Sequence, residues 1–343
     1  MIEEAIQQIR AGDDLRPEQM RELMNSVLTG QIELDSMGQF LLALREKGES
    51  VSEIAGAALA LRGKMLPIKS CGNKILDTCG TGGDGSKTFN ISTAAAVVAA
   101  AGGATVAKHG NRKVTSATGS ADVLQSLGIE IEADRDVVEG CLEDLGLCFC
   151  YAPKLHPAMR HVAEIRRQLK VPTLFNLLGP LCNPAGATYQ ILGVGKSELQ
   201  EKLALALQFL PIEKAWVVRG DDGVDEISIS DQTEVIEVTP TSIKRFKLSP
   251  HDFGLQVAAR DALYAEDPEQ SAAVIRKVLS GEKGPCRDVV VLNAAAGLYL
   301  VGIESDLNQA ARRAERAIDS GRASELLQEL GRRTHRSGET HLR

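Results

Sequence analysis

Three stretches of this chain carry groups that could do chemistry on a charged ligand. The first, Asp77-Thr-Cys-Gly-Thr-Gly-Gly-Asp-Gly-Ser-Lys-Thr88, sets glycines among hydroxyls between a predicted strand and a predicted helix. Glycine there lets the backbone approach a ligand and aim successive N–H groups at an anion. The second, Lys108-His-Gly-Asn-Arg-Lys-Val-Thr-Ser-Ala-Thr-Gly-Ser120, holds four side chains able to carry positive charge and four hydroxyls within thirteen residues. It leads into a predicted helix at Ser120, whose N-terminus also favours negative charge. The whole chain has 39 Lys and Arg against 46 Asp and Glu, so this local concentration of cations points to a multiply charged phosphate ester. The third, Arg219-Gly-Asp-Asp-Gly-Val-Asp-Glu226, is rich in carboxylates and links two predicted strands. Within it, Asp221-Asp222-Gly223 reads as an acidic turn.

Two other phosphate motifs compete for the glycine stretch. Gly80, Gly82 and Gly85 satisfy G-x-G-x-x-G, but a dinucleotide site also needs an acidic residue about 20 positions later. No Asp or Glu occurs between Asp84 and Asp122. Gly80 and Gly85 have the separation of a P-loop, yet Lys87-Thr88 arrives one position late, after Ser86. A phosphate site shared between the glycine stretch and residues 108–120 fits better.

The elements that must hold these stretches fall into two textures. Residues 1–66 read as a small helical domain, with helices over 3–10, 17–28, 36–47 and 51–63. Asp14 is a candidate cap before Pro17, Ser50-Val-Ser-Glu53 is a capping box, and Gly12, Gly30 and Gly48 stand where helices should stop. From Lys74, strands and helices alternate, which argues for an α/β domain over 67–343 around a mainly parallel sheet. Strands are expected at 74–78, 104–107, 189–194, 214–219, 226–229, 234–239 and 243–247. Helices are expected at 91–101, 120–127, 198–210, 270–279, 289–301 and 307–318. A segment near 156–176 is a candidate to pack with the helical domain. The tail from Arg332 to Arg343 is polar and basic, and it reads as frayed.

Composition excludes several classes. With 43% hydrophobic and 25% charged residues the chain can bury a core, but only twelve aromatics make that core Ala, Leu, Val and Ile. A net charge of −7 argues against a broad nucleic-acid face. Met1-Ile-Glu-Glu4 argues against a secretory signal, and Ile91–Ala107, the longest weakly polar stretch, reads as a buried helix, turn and strand rather than a membrane span. Seven cysteines without a CxxC pair disfavour both a disulfide framework and a zinc site, and favour a reducing cytoplasm.

Taken in order, Cys79-Gly-Thr-Gly-Gly-Asp-Gly85, Thr88-Phe-Asn-Ile-Ser-Thr93, Lys108-His-Gly-Asn-Arg112 and Gly119-Ser-Ala-Asp122 resemble the signatures of the anthranilate phosphoribosyltransferase family. So do His156-Pro-Ala-Met-Arg160, Phe175-Asn-Leu-Leu-Gly-Pro-Leu181, Asn183-Pro184 and Asp225-Glu226. The resemblance implies transfer of ribose 5-phosphate from phosphoribosyl diphosphate (PRPP) to the amino nitrogen of anthranilate, releasing pyrophosphate, a step of tryptophan biosynthesis. It also implies a nucleoside phosphorylase/phosphoribosyltransferase-like fold and a homodimer formed through the helical domain, with no nucleic-acid or membrane partner.

By the same resemblance, Gly80, Gly83, Asp84, Thr88, Asn90, Ile91, Ser92 and Thr93 bind PRPP, joined by Lys108, His109, Gly110, Asn111, Arg112, Lys113, Val114, Thr115, Ser116 and Ser120. Gly80, Asn111, His156 and Arg166 take anthranilate, with Arg167 the neighbouring alternative for its carboxylate. Lys108, Asp84 and Arg166 are the catalytic candidates. Ser92, Asp225 and Glu226 hold Mg²⁺, and hard oxygen ligands of this kind suit that ion. Lys113, Lys170, Pro172 and Arg219 stand where the family commonly has other residues. A related glycosyl-transfer enzyme with another aromatic acceptor, a nucleoside phosphorylase, and a non-catalytic nucleic-acid-binding paralogue are the alternatives.

Overall fold

A computed structural model describes residues 1–70, 72, 74–112 and 118–335 of the chain. Four helices open it: α1 (Ile2–Arg10), α2 (Pro17–Leu28), α3 (Leu34–Lys47) and α4 (Val51–Arg62). Ser50 and Glu53 form the expected capping box at α4, and Gly48, with φ 85°, ends α3. Asp14 does not cap α2. The cap residue is Arg16, whose N–H is accepted by Gln19 at 3.1 Å, while the Asp14 carboxylate pairs with Lys47. The fully buried Glu53 ties this corner together, accepting from Leu15 N–H, Ser50 N–H and Lys47 Nζ.

A seven-stranded sheet follows: β1 (Ile75–Asp77), β2 (Thr105–Gly110), β3 (Leu147–Tyr151), β4 (Tyr189–Gly193), β5 (Lys214–Gly220), β6 (Thr233–Val238) and β7 (Ile243–Leu248). Its order is β3-β2-β1-β4-β5-β6-β7. The pairs from β3 to β5 are parallel, and β5-β6 and β6-β7 are antiparallel. The sheet is thus mainly parallel, as expected. The chain builds outward from β1 to β3 and then returns to lay β4 on the other side of β1. In open α/β sheets such a reversal opens a crevice beyond the carboxyl ends of the strands, and ligands bind there.

Strand pleating divides the interior. Ile191, Trp216 and Val218 point into one core with α5 (Ile91–Ala101) and the helix Pro285–Leu300. Leu192, Ala215 and Val217 point into a second core with the helix Ser197–Leu207 and α1 to α4. Val162, Ile165, Phe175 and Leu178 join that second core. α5 is almost all alanine and valine and nearly all buried, so it packs closely on the equally small Ala294-Ala-Ala-Gly297. No helix among the described residues is long and apolar enough to cross a membrane.

Besides the Asp14 cap, two expectations fail. Residues 226–229 alternate like a strand but form none. The Asn293 side chain instead accepts the Ile227 N–H at 3.1 Å and donates to its carbonyl at 3.0 Å, satisfying that backbone without a ladder. Arg332 to Thr334 complete the helix Arg322–Thr334, and residues 336–343 lie outside the described residues. The helices Arg135–Leu145 and Arg160–Leu169 and strand β3 were not anticipated.

Candidate functional site

At the reversal lies a cleft of ≈ 1060 Å³. The glycine stretch leaves the end of β1 and forms one wall, and residues 108–112, the last residues of β2 and the two that follow, lie beside it. The loop after β5 closes the floor. There the Gly82 N–H donates to Asp225 Oδ2 at 3.0 Å, the Asp225 N–H to Asp84 Oδ2 at 3.3 Å, and the Ser92 N–H to Glu226 Oε1 at 3.1 Å. Loop 80–84, the start of α5 and the acidic pair are therefore one hydrogen-bonded unit, although more than 130 residues separate them in sequence.

Lys108 is buried. Its ammonium donates to Thr78 O at 2.7 Å and to Ser92 Oγ at 3.3 Å, which aims it at the start of α5. Asn90 precedes that helix, and its N–H donates to Ser271 Oγ at 2.9 Å. Thr88 and Asn90 line the cleft; Ile91 and Thr93 do not. The Ile91 side chain is in the core, and Thr93 Oγ1 donates to Asn90 Oδ1, so these two can reach the cleft only through the backbone. Gly80, Gly83, Asp84, Ser92, His109, Gly110, Asn111, Arg112 and Ser120 all line it. Arg112, however, turns toward the helix Ser120–Ser126, bonding Asp122 at 2.9 Å and Gln125 at 3.0 Å. Lys113, Val114, Thr115 and Ser116 lie outside the described residues.

Asp225 and Glu226 fit a hard divalent cation. Both are half-buried beside Asp84, and none of the three forms an ion pair among the described residues. Burial, with repulsion from Asp84 and Glu226 added, drives the Asp225 carboxyl well above its usual range. Burial likewise pushes Glu226 up to about 7, against the pull of Lys108. Carboxylates whose charge is penalised in this way gain most from an ion with two positive charges between them.

At the other end, His156, Phe175, Gly179, Pro180 and Arg166 form the wall nearest the helical bundle. Arg166 is half-buried with no ion-pair partner among the described residues, and desolvation holds its guanidinium below the usual value. Arg167 is exposed and does not line the cleft, which separates the two candidates. His109 Nδ1 meets the Gly179 carbonyl at 3.0 Å, so that nitrogen carries the proton, and His109 Nε2 lies 3.2 Å from His156 Nε2. Burial keeps both rings neutral, pushing His109 down to about 3 and His156 to about 4.

The sequence reading gave no role to Gly193, Arg160, Tyr264 or Glu266. Arg160, Tyr264 and Glu266 line the cleft mouth, and the Thr88–Tyr264 bridge fastens the end of the glycine stretch. Of these, Gly193 carried a visible signal, as part of Gly193-Val-Gly195, a glycine pair at the end of a predicted strand.

Comparison with known proteins agrees with this geometry. Residues 72–324 match the glycosyl transferase family a/b domain, and residues 3–65 match that family's helical bundle domain. The chain is 51% identical over 327 residues to an anthranilate phosphoribosyltransferase of Rhodopirellula baltica, covering 95% of this chain and 96% of that protein. It superposes on the crystal structure of the anthranilate phosphoribosyltransferase of Thermus thermophilus with a TM-score of 0.89 at 40% identity, covering 96% and 99% of the two chains. It superposes equally well, at 0.89 and 29% identity over 98% of both chains, on the Saccharomyces cerevisiae enzyme in complex with PRPP and Mg. With the helical bundle, the sheet reversal and the hydrogen-bonded floor all in place, the chain belongs to the anthranilate phosphoribosyltransferase family.

Proposed function

We propose that this protein transfers the 5-phosphoribosyl group of PRPP to the amino nitrogen of anthranilate, releasing pyrophosphate. One observation carries the reading. A single cleft holds an anion-binding glycine loop and a half-buried carboxylate pair at one end, and at the other a half-buried arginine without an ion-pair partner among the described residues. In the reaction the bond between sugar C1 and pyrophosphate breaks, leaving positive charge on the sugar and negative charge on the departing oxygen. Backbone N–H groups of residues 80–85 and the hydroxyls of Thr88 and Ser92 donate to the phosphates. Lys108, already directed at Ser92, neutralises them. Mg²⁺ held by Ser92, Asp225 and Glu226 supplies further stabilisation of the leaving group's charge. Arg166 takes the acceptor carboxylate in two-point fashion and Asn111 orients its amine. After the new C–N bond forms, the amine sheds one proton.

The helical lobe 1–66, with the segment near 156–176 against it, is read as the acceptor side, and the rest of 67–343 as the PRPP side. A homodimer through the helical lobe belongs to the same proposal; light scattering at micromolar concentration checks it. The six described cysteines are all free, which fits a reducing cytoplasm. The deciding assay mixes protein, PRPP, Mg²⁺ and anthranilate, and follows loss of anthranilate fluorescence together with pyrophosphate release. Both should appear, and Asp225→Asn with Glu226→Gln should abolish the Mg²⁺-dependent turnover. No turnover with anthranilate, alongside turnover with another acceptor or phosphorolysis of a nucleoside, would overturn the assignment.

A further inference from the structure

A second group of metal-ligating side chains lies beside the cleft, apart from Ser92, Asp225 and Glu226. A carboxylate oxygen of Asp77, the Cys79 sulfur and a ring nitrogen of His109 all lie within 4.8 Å of one another. The sheet brings them together. β1 and β2 run parallel with Ile75 opposite Thr105, so Asp77 and His109 fall on the same face at adjacent strand ends. That face looks toward Gly179 and His156, whereas Thr78 and Lys108 look the other way, toward Ser92.

Asp77 and Cys79 have unused ligand capacity, and the lone pair of His109 is engaged only by a neighbouring ring. Asp77 is fully buried; one oxygen accepts the His109 N–H at 3.1 Å, and the other has no hydrogen-bond partner among the described residues, the nearby Asn183 amide donating instead to the Ala107 carbonyl at 2.8 Å. An orphaned buried carboxylate oxygen is costly and calls for an explanation. Cys79 opens onto the cleft, and its thiol makes only a long contact, 3.7 Å, to the Gly80 carbonyl. His109 Nδ1 carries its proton to the Gly179 carbonyl, which leaves the lone pair on Nε2, where the His156 ring meets it at 3.2 Å; a bound ion would take the place of that ring contact.

We propose that Asp77, Cys79 and His109 bind a thiophilic divalent cation, Zn²⁺ or Cd²⁺, entering from the cleft, and that its binding blocks the acceptor end. Carboxylate, thiolate and imidazole make a zinc-type donor set, while Mg²⁺ prefers oxygen alone, so the two metal sets are chemically distinct. As the metal–sulfur bond forms, the Cys79 S–H bond breaks and its proton leaves to solvent. Three protein ligands leave the fourth position to water. Because His109 also touches His156 on the acceptor wall, an occupied site competes with anthranilate and is not relieved by excess Mg²⁺. This inhibition rests on the proposed transfer activity; the binding itself does not.

The test titrates the full-length protein with Cd²⁺ in millimolar Mg²⁺, without PRPP or anthranilate, following the ultraviolet thiolate-to-cadmium charge-transfer band. The band should saturate at one equivalent, disappear in Cys79→Ser, and persist in the Asp225→Asn, Glu226→Gln double variant. No band in the unaltered protein, or an undiminished band in Cys79→Ser, overturns the proposal. Should Cys79→Ser fail to fold, Asp77→Asn and His109→Gln serve instead. Each should weaken the titration by about ten-fold or more, and unchanged titration in both overturns the site. A protein that shows the band but no transferase activity would separate the metal site from the catalytic reading. Given activity, micromolar Zn²⁺ should inhibit competitively with anthranilate, and Cys79→Ser should lose that sensitivity. Equal inhibition of both proteins refutes the coupling.

Discussion

Replacing Gly193 by alanine tests whether the floor of the cleft is a built unit. Gly193 ends β4, where the loop after β5 crosses it. A Cβ at this position would stand 1.7 Å from the Asp225 carbonyl oxygen and 2.7 Å from its carbonyl carbon. The φ of Gly193 is outside the left-handed region, so backbone conformation raises no objection to alanine and the clash acts alone. Real Cβ contacts essentially never fall below 3.0 Å, so the Asp225 backbone must retreat by more than an ångström. That movement breaks the 3.0 Å bond from Gly82 N–H to Asp225 Oδ2 and drags Glu226 from Ser92 N–H. A displacement of about 1 Å at a reacting centre costs roughly 10²-fold in rate, or about 2.7 kcal/mol of transition-state stabilisation. Overpacking of this kind also costs about 1–3 kcal/mol of stability. The measurement is PRPP-dependent loss of anthranilate fluorescence across a Mg²⁺ series, with a thermal melt on the same sample. Gly193→Ala should lower kcat/KM by about two orders of magnitude and raise the Mg²⁺ requirement. Gly140→Ala is the control: it lies within a helix, its Cβ would meet nothing within 4 Å, and it should stabilise by up to about 1 kcal/mol without touching the rate. A Gly193→Ala protein with unaltered rate and Mg²⁺ dependence would refute the coupling of β4, Asp225 and the glycine loop.

Three further outcomes follow from the geometry. Arg166→Ala should raise the KM for anthranilate by about 10²-fold or more while PRPP binding, measured by calorimetry, changes little; equal weakening of both would remove Arg166 from the acceptor end. Lys170 ends the helix Arg160–Leu169 with φ 53°, a left-handed conformation that favours glycine, so Lys170→Gly should raise the melting temperature, by an amount equivalent to as much as about 1 kcal/mol. His109 and His156 are held near 3 and 4, below the usual imidazole value of 6.5, so the unfolded chain takes up protons first as pH falls. The stability these neutral rings permit is intact above pH 6.5 and declines below it. The melting temperature of His156→Gln should therefore improve relative to the unaltered protein as pH is lowered from 7 to 4, and parallel curves would contradict the assignment.

The sequence disclosed what local pattern can encode. Ser50 and Glu53 announce a helix start through their spacing, and Gly30 and Gly48 mark helix ends through conformations other residues avoid. The glycine stretch was legible because its composition has few uses besides close approach to an anion. Arg166 could not be separated from Arg167 on chemistry alone; the helix face that turns one inward and leaves the other in water made the choice. The false strand at 226–229 shows the limit of alternation as a signal. Glu-Ile-Ser-Ile alternates because Ile227 and Ile229 are buried, but its backbone is satisfied by Asn293, more than 60 residues away, and no local pattern reports such a partner. Tyr264 and Glu266 were invisible for a similar reason, since only the pairing of Tyr264 with Thr88 brings them to the cleft mouth.

The end of β2 shows how one strand can serve two substrates. Lys108 and His109 are consecutive, so pleating sends them to opposite faces of the sheet. Lys108 reaches the start of α5, where on the proposed reading hydroxyls and N–H groups would meet phosphate, and His109 reaches Gly179 and His156, where the acceptor would lie. A sugar carbon bridging the two must then sit beyond the strand end, with its leaving group on one side and its incoming amine on the other. Displacement at that carbon needs this opposition, because the amine must approach from the face the pyrophosphate leaves open. The geometry therefore comes from the strand itself. Inserting a single residue after Ala107 would turn Lys108 and His109 to each other's faces. It should abolish transfer even if both substrates still bind, and a protein that kept its rate after that insertion would show that the side-chain alternation of β2 is irrelevant to the reaction.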